Sequence, residues 1–260
     1  MKAYTTIAVA DSGPIRTISL HRPEHRNAMT PEMQLELIAA LEDAAAAECR
    51  VLVLTGAGEA FCSGLDLSAL QAMQSEDAAT HRADAERLAR LFLALYELPI
   101  PTIAAVNGPA IAGGTGLAII CDFTLATPAA KFGLTEVRIG FVPALVSAFL
   151  ALQLGHKRSM DLLLTGRIFD AEEALRLGLV NEIVKPGELA HRAKTLADTL
   201  LANSPAALGA TKRLIAAQNK EWLSAAIVDA IEASATARTT ADFREGIAAF
   251  LEKRKPVWPK

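Results

Sequence analysis

Apolar residues follow two spacings along this chain, short continuous runs and helical stripes, and the two kinds alternate. Runs rich in β-branched residues occupy Ile7–Val9, Ile15–Leu20, Val51–Thr55, Thr102–Val106, Phe123–Ala126 and Val180–Val184, each bounded by turn residues. Such runs predict strands. Between them, Thr30-Pro31 supplies a helix cap followed by proline at the first helical position, and predicts a helix to about Glu48. Leu88, Leu91, Phe92 and Leu95 recur at helical spacing and predict another from Arg82 to about Glu97. The longest apolar stretch, Phe141 to Leu154, is broken by Pro143, Ser147 and Gln153. It is too short to span a bilayer and reads as a buried helix. Past about Gly187 the strand pattern stops, and Ser204-Pro205, Glu221 and Thr240 each mark the start of a helix. The pattern therefore predicts an α/β core over residues 1–190 and a helical region over residues 191–260.

Composition adds an interface to this picture. The chain is 52% hydrophobic with few aromatics, and Phe243, Ile247, Phe250 and Leu251 share one face of the last helix. That face predicts subunit contact, with packing inside the chain as the alternative. Net charge is −3 and no tract of five basic residues occurs, so nucleic-acid binding has no electrostatic footprint. Cys49, Cys62 and Cys121 show no CxxC or Cys/His spacing. They predict reduced thiols in a cytoplasmic protein, with no disulfide and no metal site. The N-terminus lacks a continuous apolar segment of the secretory kind. The five histidines form no cluster, and only His25 lies near a loop of interest.

Two glycine-rich loops carry the chemistry. The first runs from Thr55 through Gly56, Gly58 and Gly64 to Leu67, and the second from Asn107 through Gly113, Gly114 and Gly116. Each follows a predicted strand. Glycine lets a backbone adopt unusual dihedrals and approach a ligand closely. Neither loop is a nucleotide site. Phe61 stands where a dinucleotide fingerprint needs glycine, and the second loop lacks a Gly-Lys-Ser/Thr ending.

Taken with their surroundings, the loops resemble the enoyl-CoA hydratase/isomerase (crotonase) family. The match starts at His21-Arg22-Pro23-Glu24-His25-Arg26-Asn27-Ala28 and continues through Ala60–Leu67. It is densest over Ala105–Asp122 and Lys131–Glu136, and returns at Leu164–Arg167, Ala174–Asn181 and Phe250–Arg254. The resemblance implies an α/β fold, the crotonase (ClpP-like) spiral core with a C-terminal helical trimerisation region. It implies a homotrimer or dimer of trimers acting on an acyl-CoA thioester, without membrane or nucleic-acid partners. Coenzyme A would be part of the substrate, and no separate cofactor is implied. The backbone N–H groups of Leu65 and Gly113 would form an oxyanion hole, backed by a helix opening at Gly114-Thr115. Arg26, Ser63, Asp66, Leu67 and Ser68 would hold coenzyme A, and Phe250 and Lys253 would reach a neighbouring subunit's site.

The proton shuttle implied by the resemblance is incomplete. Typical two-glutamate hydratases of the family carry a carboxylate where this chain has Gly116, an opening that would face the reacting carbons. The other carboxylate is present as Glu136. A lone glutamate is usually a solvated surface group, but Phe132, Leu134, Val137 and Ile139 flank this one with apolar side chains. One carboxylate can move a proton between two carbons, which suits a double-bond isomerase. The stretch Thr135–Ser147 instead resembles bacterial glutaconyl-CoA-type (methylglutaconyl-CoA hydratase-like) enzymes, which also lack the first glutamate. Hydration is therefore the expected reaction and isomerisation the alternative. A non-catalytic protein binding acyl-CoA or RNA is a third reading. Arg138 either orients Glu136, meets a substrate carboxylate, or forms a structural ion pair.

Overall fold

Residues 4–258 are described by a computed structural model. In chain order its elements are β1 (Ile7–Ser12), β2 (Ile15–Leu20), α1 (Pro31–Ala46), β3 (Val51–Gly56), α2 (Leu67–Ala72), α3 (Ala78–Tyr96), β4 (Thr102–Val106), β5 (Ala110–Ile111) and α4 (Gly113–Ile120). They continue as β6 (Phe123–Ala126), β7 (Lys131–Gly133), α5 (Ala144–Thr165), β8 (Ile168–Asp170), α6 (Ala171–Leu177), β9 (Glu182–Ile183), α7 (Leu189–Leu201), α8 (Pro205–Ala237) and α9 (Ala241–Leu251).

One six-stranded sheet has the order β1-β2-β3-β4-β6-β9. β1 and β2 pair antiparallel, and every later pair is parallel. Its central strands are apolar without a break because both faces are covered. Leu52, Leu54, Ala104 and Val106 point into the main core with residues of α1, α3 and α4. Val51, Val53, Ile103 and Ala105 point the other way, onto Leu189, Ala193, Ala197 and Leu200 of α7. Each fully buried large aliphatic contributes about 1.5–3 kcal/mol relative to exposure, so this two-faced burial holds the strand ends, and the loops on them, in place. All six predicted runs lie in this sheet. A second sheet, β5-β7-β8, was not predicted. Its strands of two or three residues are too short to show a period.

Helix starts follow their caps. Thr30 accepts from the Met33 amide at the head of α1. Asp77 caps α3 through the Thr80 amide, so that helix begins four residues before the predicted Arg82. Glu221 does not open a helix: α8 runs unbroken through it for 33 residues, capped by Ser204. No helix of the described residues is long and apolar enough to cross a membrane.

The last helix divides its apolar face. Phe243 and Ile247 are buried inside the chain with Leu70 of α2, Phe141 and Ala237, while Phe250 and Leu251 are 58% and 37% exposed. The chain's own core thus takes half of the face expected to serve assembly. Seating is tight at Gly246, where a Cβ would lie 2.1 Å from the Ile139 carbonyl oxygen. A backbone oxygen cannot swing aside. Gly246→Val should therefore lift α9 off the turn at Ile139 and destabilise the fold by about 1–3 kcal/mol. Urea unfolding should show a lower midpoint at unchanged slope, and an unaltered midpoint would contradict the seating.

Candidate active site

Asn27 is the residue that organises the first loop. It is fully buried, and its side-chain amide donates to the carbonyls of Ala57, Ala60 and Phe61 while its oxygen accepts from the Arg22 amide. Arg22 in turn donates to the Ala28 carbonyl at 2.6 Å and the Asp66 carboxylate at 3.0 Å. The two loops then run side by side. The Cys62 amide donates to Pro109 and the Ile111 amide to Cys62. Two glycines permit the approach. Gly64 has φ +92°, and a side chain there would press on Ala112 and the Ile111 carbonyl; a Cβ on Gly114 would lie 2.1 Å from the Cys62 oxygen.

Where the loops meet, two backbone donors are left over. Around Leu65 the ladder to Met29 uses the Gly64 carbonyl and the Asp66 amide, not the Leu65 amide. Gly113 is the first residue of α4, where an N–H has no intrahelical partner. Neither amide donates to a protein group among the described residues, and both residues line one cavity of about 540 Å³. The residue before Gly113, Ala112, holds φ +53°, a costly conformation for a side-chain-bearing residue. All eight residues of α4 are buried, so its positive end acts in a low-dielectric setting at this point.

Glu136 faces the same cavity from a short 3₁₀ turn, Glu136–Ile139. Its residue is 8% exposed, and its Oε2 has no partner among the described residues. Burial pushes its carboxyl up to about 7, since desolvation penalises the charged form and only its own backbone amide opposes this. Glu136 is the single carboxylate among the described lining residues, which include three arginines, Arg26, Arg138 and Arg254. Arg254 is paired with Glu245 and Glu252, whereas Arg26 and Arg138 have no carboxylate partner among the described residues.

The cavity gathers most of the expected residues. Arg26, Ser63, Leu65, Leu67, Gly113, Glu136 and Phe250 all line it. Asp66 and Ser68 do not: the Asp66 carboxylate caps α2 through the Ser68 and Ala69 amides and pairs with Arg22. Lys253 also lies off the lining, in a left-handed turn at φ +56°, with Arg254 and Pro256 at the rim instead. Phe250 lines its own chain's cavity. His25 is exposed beside Glu24.

Gly116 leaves no opening. It is buried, and a Cβ there would lie 2.9 Å from both Phe92 Cζ and Val146 Cγ2. Val146, not Gly116, forms the cavity wall. Cys62 and Cys121 are buried thiols pushed up to about 12, and are inert as nucleophiles.

Sequence reading missed a buried polar set in the wall: Asp84 and His81 on α3, Ser234 on α8, and Arg238. A signal existed. The stripe Leu88, Leu91, Leu95, followed backwards in steps of three and four, lands on Asp84 and His81, polar residues on an otherwise apolar face.

A second cavity, about 610 Å³, lies on the far side of the sheet against α7. Its Thr55 and Thr127 hydroxyls and Asn107 amide already donate to backbone carbonyls. Of these two cavities, the first combines free donors, a neutral-range acid and two cations without a carboxylate partner among the described residues. Such a set can stabilise an oxyanion and move a proton beside it.

Residues 11–260 match the family model described as enoyl-CoA hydratase/isomerase. A Thermus thermophilus protein named as an enoyl-CoA hydratase is 45% identical over 247 residues, covering 95% of this chain and 98% of that protein. The crotonyl-CoA hydratase of Syntrophomonas wolfei is 34% identical, covering 97% of each. The (E)-benzylidenesuccinyl-CoA hydratase of Thauera aromatica is 34% identical, covering 95% and 96%. A solved enoyl-CoA hydratase/isomerase from Xanthobacter autotrophicus superposes with a TM-score of 0.90 at 30% identity, over 99% of this chain and 100% of that one.

Proposed function

The chain belongs to the enoyl-CoA hydratase/isomerase family, and from this premise we propose that it adds water across the α,β double bond of an enoyl-CoA thioester. The observation that carries the reading is one buried carboxyl, Glu136 with a pKa of about 7, sharing a cavity with the two free amides of Leu65 and Gly113. Relatives named as enoyl-CoA and crotonyl-CoA hydratases favour hydration over isomerisation.

The roles follow from charge flow. The thioester carbonyl accepts from the Leu65 and Gly113 amides. Glu136, as carboxylate, takes a proton from water while the water oxygen bonds to the β-carbon. Electrons move to the carbonyl oxygen, where two fixed donors and the α4 terminus meet the developing charge; one such donor is worth about 3–4 kcal/mol. Protonated Glu136 then returns the proton to the α-carbon, and the carbonyl re-forms. A pKa near 7 suits a group that must accept and donate in one cycle. Arg26 and Ser63, which line the same cavity, would hold the coenzyme A part of the substrate. The exposed apolar residues Leu214, Ile215, Trp222 and Val228 on α8, with Phe250 and Leu251 on α9, support assembly as a trimer or dimer of trimers.

For the acyl group, we favour one bearing a distal carboxylate, as in glutaconyl-type substrates. Arg138 lines the cavity without an anionic partner among the described residues, and the Thauera relative is named for a succinyl-type thioester. Incubation in H₂¹⁸O with glutaconyl-CoA and crotonyl-CoA tests both levels. Label should enter a 3-hydroxyacyl product, with glutaconyl-CoA turned over at least about tenfold faster. Unlabelled double-bond migration alone would refute hydration; equal rates would refute the carboxylate preference.

A further inference from the structure

Ser234 is 4% exposed, yet it lines the cavity among Leu70, Leu88, Phe141 and Leu145. It is a polar group in an apolar chamber. Just past the end of α8, Arg238 grips it: one guanidinium nitrogen donates at 2.7 Å both to the Ser234 hydroxyl oxygen and to its carbonyl. Another donates at 2.6 Å to the Asp84 carboxylate on α3. Arg238 is 1% exposed, its Nε has no partner among the described residues, and its charge lies 5.2 Å from the Phe141 ring. Arg87 pairs with the second Asp84 oxygen and also donates to Gln34 of α1. Two guanidinium groups therefore share one carboxylate behind the wall, and the cluster keeps a net positive charge. Ser234 and Phe141, not Arg238, form the surface the cavity presents.

The hydroxyl's state follows. Its oxygen accepts from a cation, which polarises the O–H and makes it a stronger donor. A helical hydroxyl ordinarily donates to the carbonyl four residues back, as Thr211 does to Ala207. Ser234 makes no such bond, and its proton has no protein acceptor among the described residues. A desolvated donor without an acceptor is costly, so the chamber favours a ligand that brings one.

We infer that Ser234, held by the Arg238–Asp84 pair, is a specificity-determining residue that donates to an oxygen carried on the acyl chain beyond the reacting carbons. The net positive charge behind it selects a carboxylate over a neutral acceptor. This rests on the reading of the cavity as an enoyl-CoA hydratase site. It adds a buried recognition point distinct from the exposed Arg138, one that reads the chain at depth where water cannot compete.

The test compares glutaconyl-CoA with hex-2-enoyl-CoA, a neutral chain of similar length, on the intact protein. In Ser234→Ala, kcat/KM for glutaconyl-CoA should fall about tenfold, mostly through KM, while hex-2-enoyl-CoA is unaffected. Ser234→Thr, which keeps the hydroxyl, should retain most of the preference. Unchanged melting temperatures would show that packing is intact. An equal loss on both substrates would make Ser234 a holder of the attacking water and overturn the assignment. A wild-type preference for glutaconyl-CoA that survives Ser234→Ala would overturn it while leaving the carboxylate reading standing. Equal wild-type rates on both chains would remove both.

Discussion

Glu136→Gln should lower kcat by about two to four orders of magnitude while leaving the fold intact, since proton transfer by a positioned side chain contributes on that scale. The substitution keeps size and shape and removes the ability to accept a proton. For the wild type, kcat/KM should rise along an acid limb centred near pH 7, because Glu136 must be ionised to take the proton from water and its carboxyl is pushed up to about 7. The same shift fixes a stability effect of opposite sense. From about pH 4.5 to 7 the folded protein holds a proton on Glu136 that the unfolded chain has released. Stability contributed by this group is therefore complete below the unfolded value and is lost as pH rises through 7, by about 3 kcal/mol. A glutamine side chain does not titrate. The melting temperature of the Glu136→Gln protein relative to wild type should thus climb between about pH 5 and about pH 8.5. A pH-independent difference, or wild-type turnover by the mutant, would remove Glu136 from the proton-transfer role.

That residue was legible in the sequence because its surroundings are local. Phe132 and Leu134 precede it within four residues and are fully buried, so the apolar flanks implied a buried acid. The sheet was legible for a similar reason: strands covered on both faces are unbroken apolar runs. The Asp84–Arg238 pair was not, since its members are 154 positions apart and a charged residue inside a helical stripe has no partner visible along the chain. Asp66 shows a different limit: the resemblance assigned it to coenzyme A, and its carboxylate is engaged within the chain by the start of α2 and Arg22, neither of which is visible in the local sequence. Phe243 and Ile247 show the limit of an amphipathic face, which reports that burial occurs and not against what.

Gly116 is the position at which sequence reasoning and packing part most sharply, and substitutions there should have the second-largest effect. Absence of a side chain suggested an opening beside the reacting carbons. Instead Phe92, fully buried, and Val146, 3% exposed, close on the glycine. A methyl at this position would stand 2.9 Å from Phe92 Cζ and Val146 Cγ2 and 3.1 Å from Phe92 Cε2, inside van der Waals contact on two sides. Both neighbours sit in the main core, so yielding means repacking α3 and α5. Gly116→Ala should cost about 1–3 kcal/mol. Gly116→Glu adds the desolvation of a carboxyl with no partner, and should melt about 10 °C lower or fail to accumulate as soluble protein. If the ring is what resists, Gly116→Ala combined with Phe92→Leu should be more stable than the sum of the two single changes, because one creates the space the other needs. The measurement is a thermal or urea double-mutant cycle. A stable, active Gly116→Glu protein would mean the wall gives way and a second carboxylate fits after all. Strict additivity would mean that Phe92 is not the obstacle. With the wall closed at Gly116 and Glu136 the single carboxylate among the described lining residues, the proposed reaction asks one carboxyl both to activate the water and to return its proton.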